Sequence, residues 1–215
     1  MDFAEHSRIA RERWNAIHAD YKLEQILYDD WLEMFSSELE SCVCPIIDLG
    51  CGSGNDTKYL LERGKKVIAC DYSPAAIENI RRNFPEVVAA ECFDMTEGLP
   101  FADDSADLVI ADLSLHYFSK QTSDYVLREI KRVLKKDGIM LARVNSVNDF
   151  KHGAGEGGEI ERHLFRTPDG RLKRFFDKED IELLFADWDI TYAAESTMLR
   201  YAFPKVLWTV ACRNK

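Results

Sequence analysis

The run "PIIDLGCGSGNDTKYLLERGKKVIACD", residues 45–71, constrains this chain more than any other stretch. Apolar residues lead into three alternating glycines, Gly50, Gly52 and Gly54, and a second apolar run ends on Asp71. The order is strand, tight turn, helix, strand. Two strands joined by a crossover helix lie parallel in one sheet. Glycines let the turn bend sharply and approach a ligand closely. In such sheets ligands bind beyond the carboxyl ends of the strands, where strand order reverses. An acid ending the second strand can accept from both ribose hydroxyls. The plainer alternative is that Asp71 caps the "DYSP" turn.

The alternation continues. Strands are expected over 46–49, 66–71, 86–91, 106–114 and 139–145, and helices over 55–64, 74–83 and 122–138. Asn55 and Ser73 are placed as helix caps, with Pro74 at the first helical position. A helix over 178–188 and two strands near 189–195 and 204–212 follow. No helix separates those last two, so they form a hairpin and leave one antiparallel strand. The predicted fold is α/β: a seven-stranded, mostly parallel sheet with one antiparallel strand and helices on both faces. Ahead of it, 5–19 and 22–41 show helical spacing; Leu23, Ile26, Leu27, Trp31, Met34 and Phe35 share one face in the second. Residues 146–176 break the rhythm: a glycine-rich stretch with a "TPDG" turn between candidate strands 160–166 and 171–176. An insertion there is placed to form a binding lid. One domain is expected over 1–215, with a helical cap (1–44), a core (45–145), a lid (146–176) and a C-terminal helix and hairpin (177–215).

Composition narrows the function. A formal net charge of −10 argues against bulk attraction to nucleic acid. Residues 162–178 run the other way, with six bases and two acids. No apolar run reaches the ~18–20 residues a membrane helix needs. The charged start "MDFAEHSRIARERW" lacks a signal-peptide core, so a cytoplasmic location is expected. Six scattered cysteines are expected to be reduced thiols, and no partner completes a metal site at Cys42-x-Cys44.

A dinucleotide turn would read G-x-G-x-x-G, but Asn55 stands in the third glycine's slot. The chain reads G-x-G-x-G after Asp48 instead. That pattern resembles motif I of the class I S-adenosylmethionine (SAM) methyltransferases, "hhDhGxGxG". Further stretches resemble the family in order: "VIACDYSPAAI", "ECFDMTEGLPFADDSADLVIADLSLHYF" and "LREIKRVLKKDGIMLARVNS". The likeness covers roughly 45–145 and implies the Rossmann-like methyltransferase fold. Within the superfamily, "SLHYF", "GAGEGGEIE" and "RFFDKEDIELLF" are similar to small-molecule enzymes, the tellurite-resistance type among them.

The resemblance implies SAM as cofactor, S-adenosylhomocysteine as product and a small-molecule methyl acceptor. It places Asp48 near the methionine amino group, Gly50, Cys51 and Gly52 along the methionine part, Asp71 on the ribose and Tyr72 beside the adenine. Asp94 would accept from the adenine amino group, the Met95 backbone would meet the ring, and the Asp112 carbonyl would meet the amino group. Tyr21 would touch the carboxylate end. His116 is either a base or acceptor-orienting group, or a packed histidine; Tyr117 shares the ambiguity. Arg162, Arg166, Arg171, Lys173 and Arg174 either receive an anionic acceptor or form a solvated hairpin. Glu161 could orient a cationic or protic group. After strand four the chain reads Asp112-Leu113-Ser114-Leu115, not the "[DN]PP[YF]" of adenine and glutamine N-methyltransferases. A monomer or homodimer without nucleic-acid or membrane partners is expected, with no metal. Two alternatives stay open: a non-catalytic SAM-binding protein, and a nicotinamide oxidoreductase, against which Asn55 argues.

Overall fold

The computed structural model describes residues 3–19 and 26–215. Helix α1 (Phe3–His18) comes first. A 3-10 turn, Asp30–Phe35, runs into the short helix α2 (Ser36–Ser41). Then follow β1 (Ile46–Leu49), α3 (Asn55–Glu62), β2 (Val67–Asp71), α4 (Pro74–Asn83), β3 (Ala89–Cys92), β4 (Ala106–Asp112), α5 (Lys120–Val133) and β5 (Leu134–Asn145). Three short strands, β6 (Gly158–Glu161), β7 (Leu164–Arg166) and β8 (Leu172–Arg174), precede α6 (Lys178–Leu184), β9 (Asp189–Met198) and β10 (Lys205–Arg213).

The main sheet has seven strands in the order β3-β2-β1-β4-β5-β10-β9. β10 pairs antiparallel with both neighbours, and the remaining pairs are parallel. The expected architecture is therefore the observed one. Strand order reverses between β1 and β4, so a crevice opens beyond Leu49 and Asp112.

Side-chain alternation along the strands divides the core between two faces. Ile47 and Leu49 of β1, and Val109 and Ala111 of β4, pack with Val126, Leu127 and Ile130 of α5 and with Ile181 of α6. Ile46, Leu108 and Ile110 pack on the other face with Tyr59 and Leu60 of α3 and with Trp31, Leu32, Phe35 and Leu39. Ile77, Ile80 and Phe84 of α4 cover Ala69 and Ala90 beside them.

Three expectations need correction. The helix proposed over 22–41 is a 3-10 turn followed by one short helix; residues 26–29 are not helical, and residues 20–25 lie outside the described ones. Leu27 and Met34, assigned to its apolar face, point to solvent. The helix expected over 122–138 stops at Val133, because the Asn214 amide donates to the carbonyls of Lys131, Leu134 and Lys135 and holds the chain as it turns into β5. The insertion carries three strands rather than two, since Gly158–Glu161 pairs with β7 in a second small sheet. A bridge from Ser146 to Phe176 fastens both ends of this insertion to the core.

Candidate functional site

A cavity of about 1070 Å³ opens at the switch point. Its floor is the glycine turn and the ends of β1, β2 and β4. Trp14 and His18 of α1, the β7–β8 turn and the β9–β10 loop also line it, and Arg171 of that turn lies 5.9 Å from the Trp14 ring centroid.

The turn is held by its own packing. Gly50 and Cys51 both donate to the Cys70 carbonyl at 2.8 Å. Gly50 has φ of +83°, and a Cβ there would lie 2.4 Å from the Ser114 Cβ. Gly54, with φ of +89°, would put a Cβ 2.7 Å from both Ile80 and Phe84 of α4. Only glycine meets both the backbone angle and the space at these positions. Gly54 thus supplies the close packing that a dinucleotide turn assigns to its third glycine, one position earlier.

Four acids gather at this floor, each differently held. Asp71 accepts from Gly52 N at 2.9 Å and from Ser73 N at 2.8 Å, so it ties the turn to the end of β2. Burial raises its pKa, against the pull of those two amides. Asp48 is 2% exposed and accepts from Thr57 Oγ1 at 2.6 Å. Burial pushes its carboxyl up to about 7. Asp56, also buried, accepts from Trp31 Nε1 at 3.0 Å and is raised by burial and then by Asp112. Burial alone would raise Asp112 too, but Arg143 and Arg200 hold it well below the usual carboxylate range.

Arg143 organises that corner. It is 1% exposed and forms two forked pairs. Nε and Nη2 donate to Asp112 at 2.7 and 2.8 Å, and Nη1 and Nη2 donate to Asp29 at 2.5 and 3.1 Å. Its guanidinium lies 4.5 Å from the Trp31 ring centroid. Arg200, from the β9–β10 loop, adds a bond to Asp112 at 2.9 Å. One cluster of charge therefore joins the chain before α2, the end of β4 and the last hairpin.

α1 seals the cavity from the side. Asn15 Oδ1 accepts from Ser73 Oγ at 2.6 Å, and Asn79 donates to the His18 carbonyl at 2.5 Å. The buried His18 ring meets Ser53 Oγ at 3.2 Å and lies over Gly52. Trp14 stacks on His18 and meets Tyr117 edge-on.

Of the residues singled out in the sequence, Asp48, Gly50, Cys51, Gly52, Asp71, Tyr72, Asp94, Met95, Asp112, His116 and Tyr117 all line this one cavity. Asp94 also caps the turn at Met95–Glu97 by accepting from Thr96 N at 2.9 Å. Tyr21 lies outside the described residues. Glu161 and Arg162 are not among the lining residues. Glu161 accepts from Lys120 N at 2.8 Å and from Arg174. Arg162 faces α6, where it pairs with Asp177, Glu179 and Asp180. From the basic stretch, Arg171 and Lys173 do reach the cavity.

Sequence reasoning missed Arg143, Arg200 and Lys205. Arg143 gave a signal: an arginine inside the apolar run "IMLARVN" must find an acid partner when that strand is buried. Nothing local marked Arg200 or Lys205.

Comparison with known proteins places the arrangement. Residues 47–142 match the family model described as a methyltransferase domain. The malonyl-[acyl-carrier protein] O-methyltransferase of Halorhodospira halophila is 31% identical over 167 residues, covering 74% of this chain and 54% of that protein. The tRNA N(3)-cytidine methyltransferase METTL2 of Gallus gallus is 26% identical, over 65% of this chain and 41% of its own length. The chain thus spans about half the length of these curated relatives. Among solved structures, the Burkholderia thailandensis 1,6-didemethyltoxoflavin-N1-methyltransferase superposes with a TM-score of 0.71 at 19% identity, over 99% of this chain and 90% of that one. That enzyme was solved with 1,6-didemethyltoxoflavin and S-adenosylhomocysteine bound, and at this identity the likeness concerns the fold.

Proposed function

We propose that this protein, a member of the class I S-adenosylmethionine-dependent methyltransferase superfamily, uses that cofactor to methylate a small-molecule nucleophile. The observation that carries the reading is the tie between Gly52 and Asp71 at the switch point. It sets a buried carboxylate beside a glycine turn that has no room for side chains at Gly50 and Gly54.

The residues present fit the cofactor. It carries no phosphate, and the floor that would hold it offers acids rather than the anion-binding cradle of a dinucleotide site. Asp71 would accept from the ribose hydroxyls, and Asp48, with the Asp112 carbonyl, would meet the methionine ammonium. Tyr72, Asp94 and Met95 would surround the adenine. When bound, SAM supplies a methyl group on a sulfonium, already activated for in-line attack. The protein's work is then alignment and exclusion of water. Trp14 and His18 exclude water from one side, and His116 and Tyr117 border the space left for the acceptor. His116 would orient the acceptor as a neutral imidazole, since burial, aided by Lys205 and Lys173, pushes its pKa well below the ordinary value.

An RNA acceptor is the second reading, favoured by the relatives named as tRNA methyltransferases. A net charge of −10 speaks for the small molecule, because RNA binding draws on a basic surface. The reading is tested by calorimetric titration with SAM and NADH, followed by S-adenosylhomocysteine release with thiol, amine, hydroxyl and carboxylate acceptors. SAM binding without NADH binding, and turnover on a small acceptor, are expected. NADH binding alone would overturn the cofactor. Turnover on tRNA alone would overturn the acceptor class, and SAM binding with no turnover on any acceptor would leave a non-catalytic binding protein.

A further inference from the structure

A second part of the cavity lining has the opposite chemistry to the floor. Lys173 on β8 and Lys205 at the start of β10 both reach the cavity there, beside His116. Lys205 has a carboxylate, Asp149, at 2.7 Å; both side chains are buried, and the second Asp149 oxygen accepts from Val206 N. Lys173 has none: its ammonium donates to the His152 carbonyl at 2.6 Å and makes no ion pair among the described residues. Among the described residues Asp149 is the one carboxylate in ion-pair reach of these two ammonium groups and it is taken by Lys205, while Glu156 acts on Lys173 only from beyond that reach. His116 is 2% exposed, and its Nδ1 has no hydrogen-bond partner among the described residues. A buried polar atom left unpaired costs free energy, which a ligand can recover.

We propose that the methyl acceptor is an organic acid whose carboxylate or phosphate is received by Lys173, with the unpaired Nδ1 of His116 beside it; this rests on the methyl-transfer reading of the same cavity. A half-buried ammonium without a counter-charge is a place where an anion gains most, because solvent screens the pair weakly. Burial, Lys205 and Arg171 push Lys173 down to about 8 against the pull of Asp149 and Glu156, so an arriving anion raises its pKa and completes its protonation. Arg171, on the same wall, is already engaged by Asp169 at 2.8 Å and is not available in this way. The acid is the recognition group; the methylated atom lies elsewhere on the acceptor or on the acid itself.

The test uses the whole chain, first titrated with S-adenosylhomocysteine and then, saturated with it, with benzoate, phenyl phosphate and their neutral analogue benzamide. At least one acid should bind about tenfold or more tighter than benzamide. Near pH 8, calorimetry in buffers of different ionisation enthalpy should show uptake of up to about half a proton per acid bound, because a group with its pKa there is half protonated before binding. Both effects should vanish in Lys173→Met and in Lys173→Gln, while affinity for S-adenosylhomocysteine stays within about twofold. Benzoate compared with phenyl phosphate separates a carboxylate from a phosphate receptor. Equal binding of acids and amide, binding of none of them, or an acid preference that survives in both variants would overturn this inference and leave the cofactor reading intact. Failure to bind S-adenosylhomocysteine would overturn the reading beneath it.

Discussion

One cavity has two unlike ends. At the glycine turn, Asp48 and Asp71 are acids whose burial raises their pKa. In the same cavity, Lys173 and His116 are bases whose burial lowers theirs. The shifts have one physical cause, loss of water around a charge, acting on opposite signs. Asp48 pairs with no cation and Lys173 with no carboxylate among the described residues, whereas Asp112 and Lys205 beside them are already paired. The floor comes mostly from one short run of sequence. The wall is assembled from the loop after β4, the β7–β8 hairpin and the β9–β10 loop, so it can change without disturbing the floor.

The largest effect should come where the two ends are joined. Arg143→Ala would strip Asp112 and Asp29 of their forked partner and leave Asp112 buried with Arg200 alone. Breaking a buried ion pair on one side costs about 3–5 kcal/mol. In thermal denaturation this corresponds to a fall of roughly 6–20 °C for a chain of this size. A fall of only a degree or two would show that the two ends are not coupled through this cluster. Asp71→Ala acts on the floor alone. It removes a charged acceptor and frees the Gly52 and Ser73 amides, so affinity for S-adenosylhomocysteine should drop by roughly 10- to 100-fold. Calorimetry that found unchanged affinity would separate the turn from cofactor binding.

Next is a pH effect confined to the floor. Asp48 titrates near 7 in the free protein, and a bound ammonium favours its ionised form. Affinity for S-adenosylhomocysteine should therefore rise with pH by up to about tenfold per unit below 7 and level off above it. Stability runs the other way. A carboxyl raised from 3.8 to about 7 on folding favours the folded state most below its unfolded pKa, and that advantage is lost as pH rises through 7. The free protein should thus lose stability relative to Asp48→Asn between about pH 4 and 7, while the same variant flattens the affinity profile. Parallel profiles for variant and wild type would assign the titration to another group.

The difference between the ends also explains what could be read in advance. Strand alternation and the cap at Ser73 are local, and they located the sheet and its antiparallel strand, while the floor residues came from the glycine turn, Asp71 and the family resemblance. Asn55 was expected to cap α3, but Gly54 occupies that position. The wall depends on tertiary pairing. Lys205 and Asp149 are 56 residues apart, and Arg143 and Asp29 are 114 apart. No period or motif links such pairs. The second helix misled for a related reason: its apolar spacing was real, but Asp29 is held out by Arg143 and the chain there follows that bond.

The smallest effect should come from the hairpin's outer side, and it bears directly on the wall. Arg162 was grouped with Arg171 and Lys173 as a receiver of acceptor, yet it leaves the cavity and pairs with Asp177, Glu179 and Asp180 on and before α6. Its side chain is 50% exposed, so these pairs are screened by solvent and contribute little. Arg162→Ala should therefore shift the melting temperature by only a few degrees and leave the affinity for S-adenosylhomocysteine, benzoate and phenyl phosphate unchanged. If acid binding fell in Arg162→Ala as far as in Lys173→Met, anion capture would belong to the hairpin's general positive field. The contrast between a specific wall and a specific floor would then be lost. Unchanged acid binding, beside its loss in Lys173→Met, would place the selectivity in Lys173, which has no carboxylate partner among the described residues.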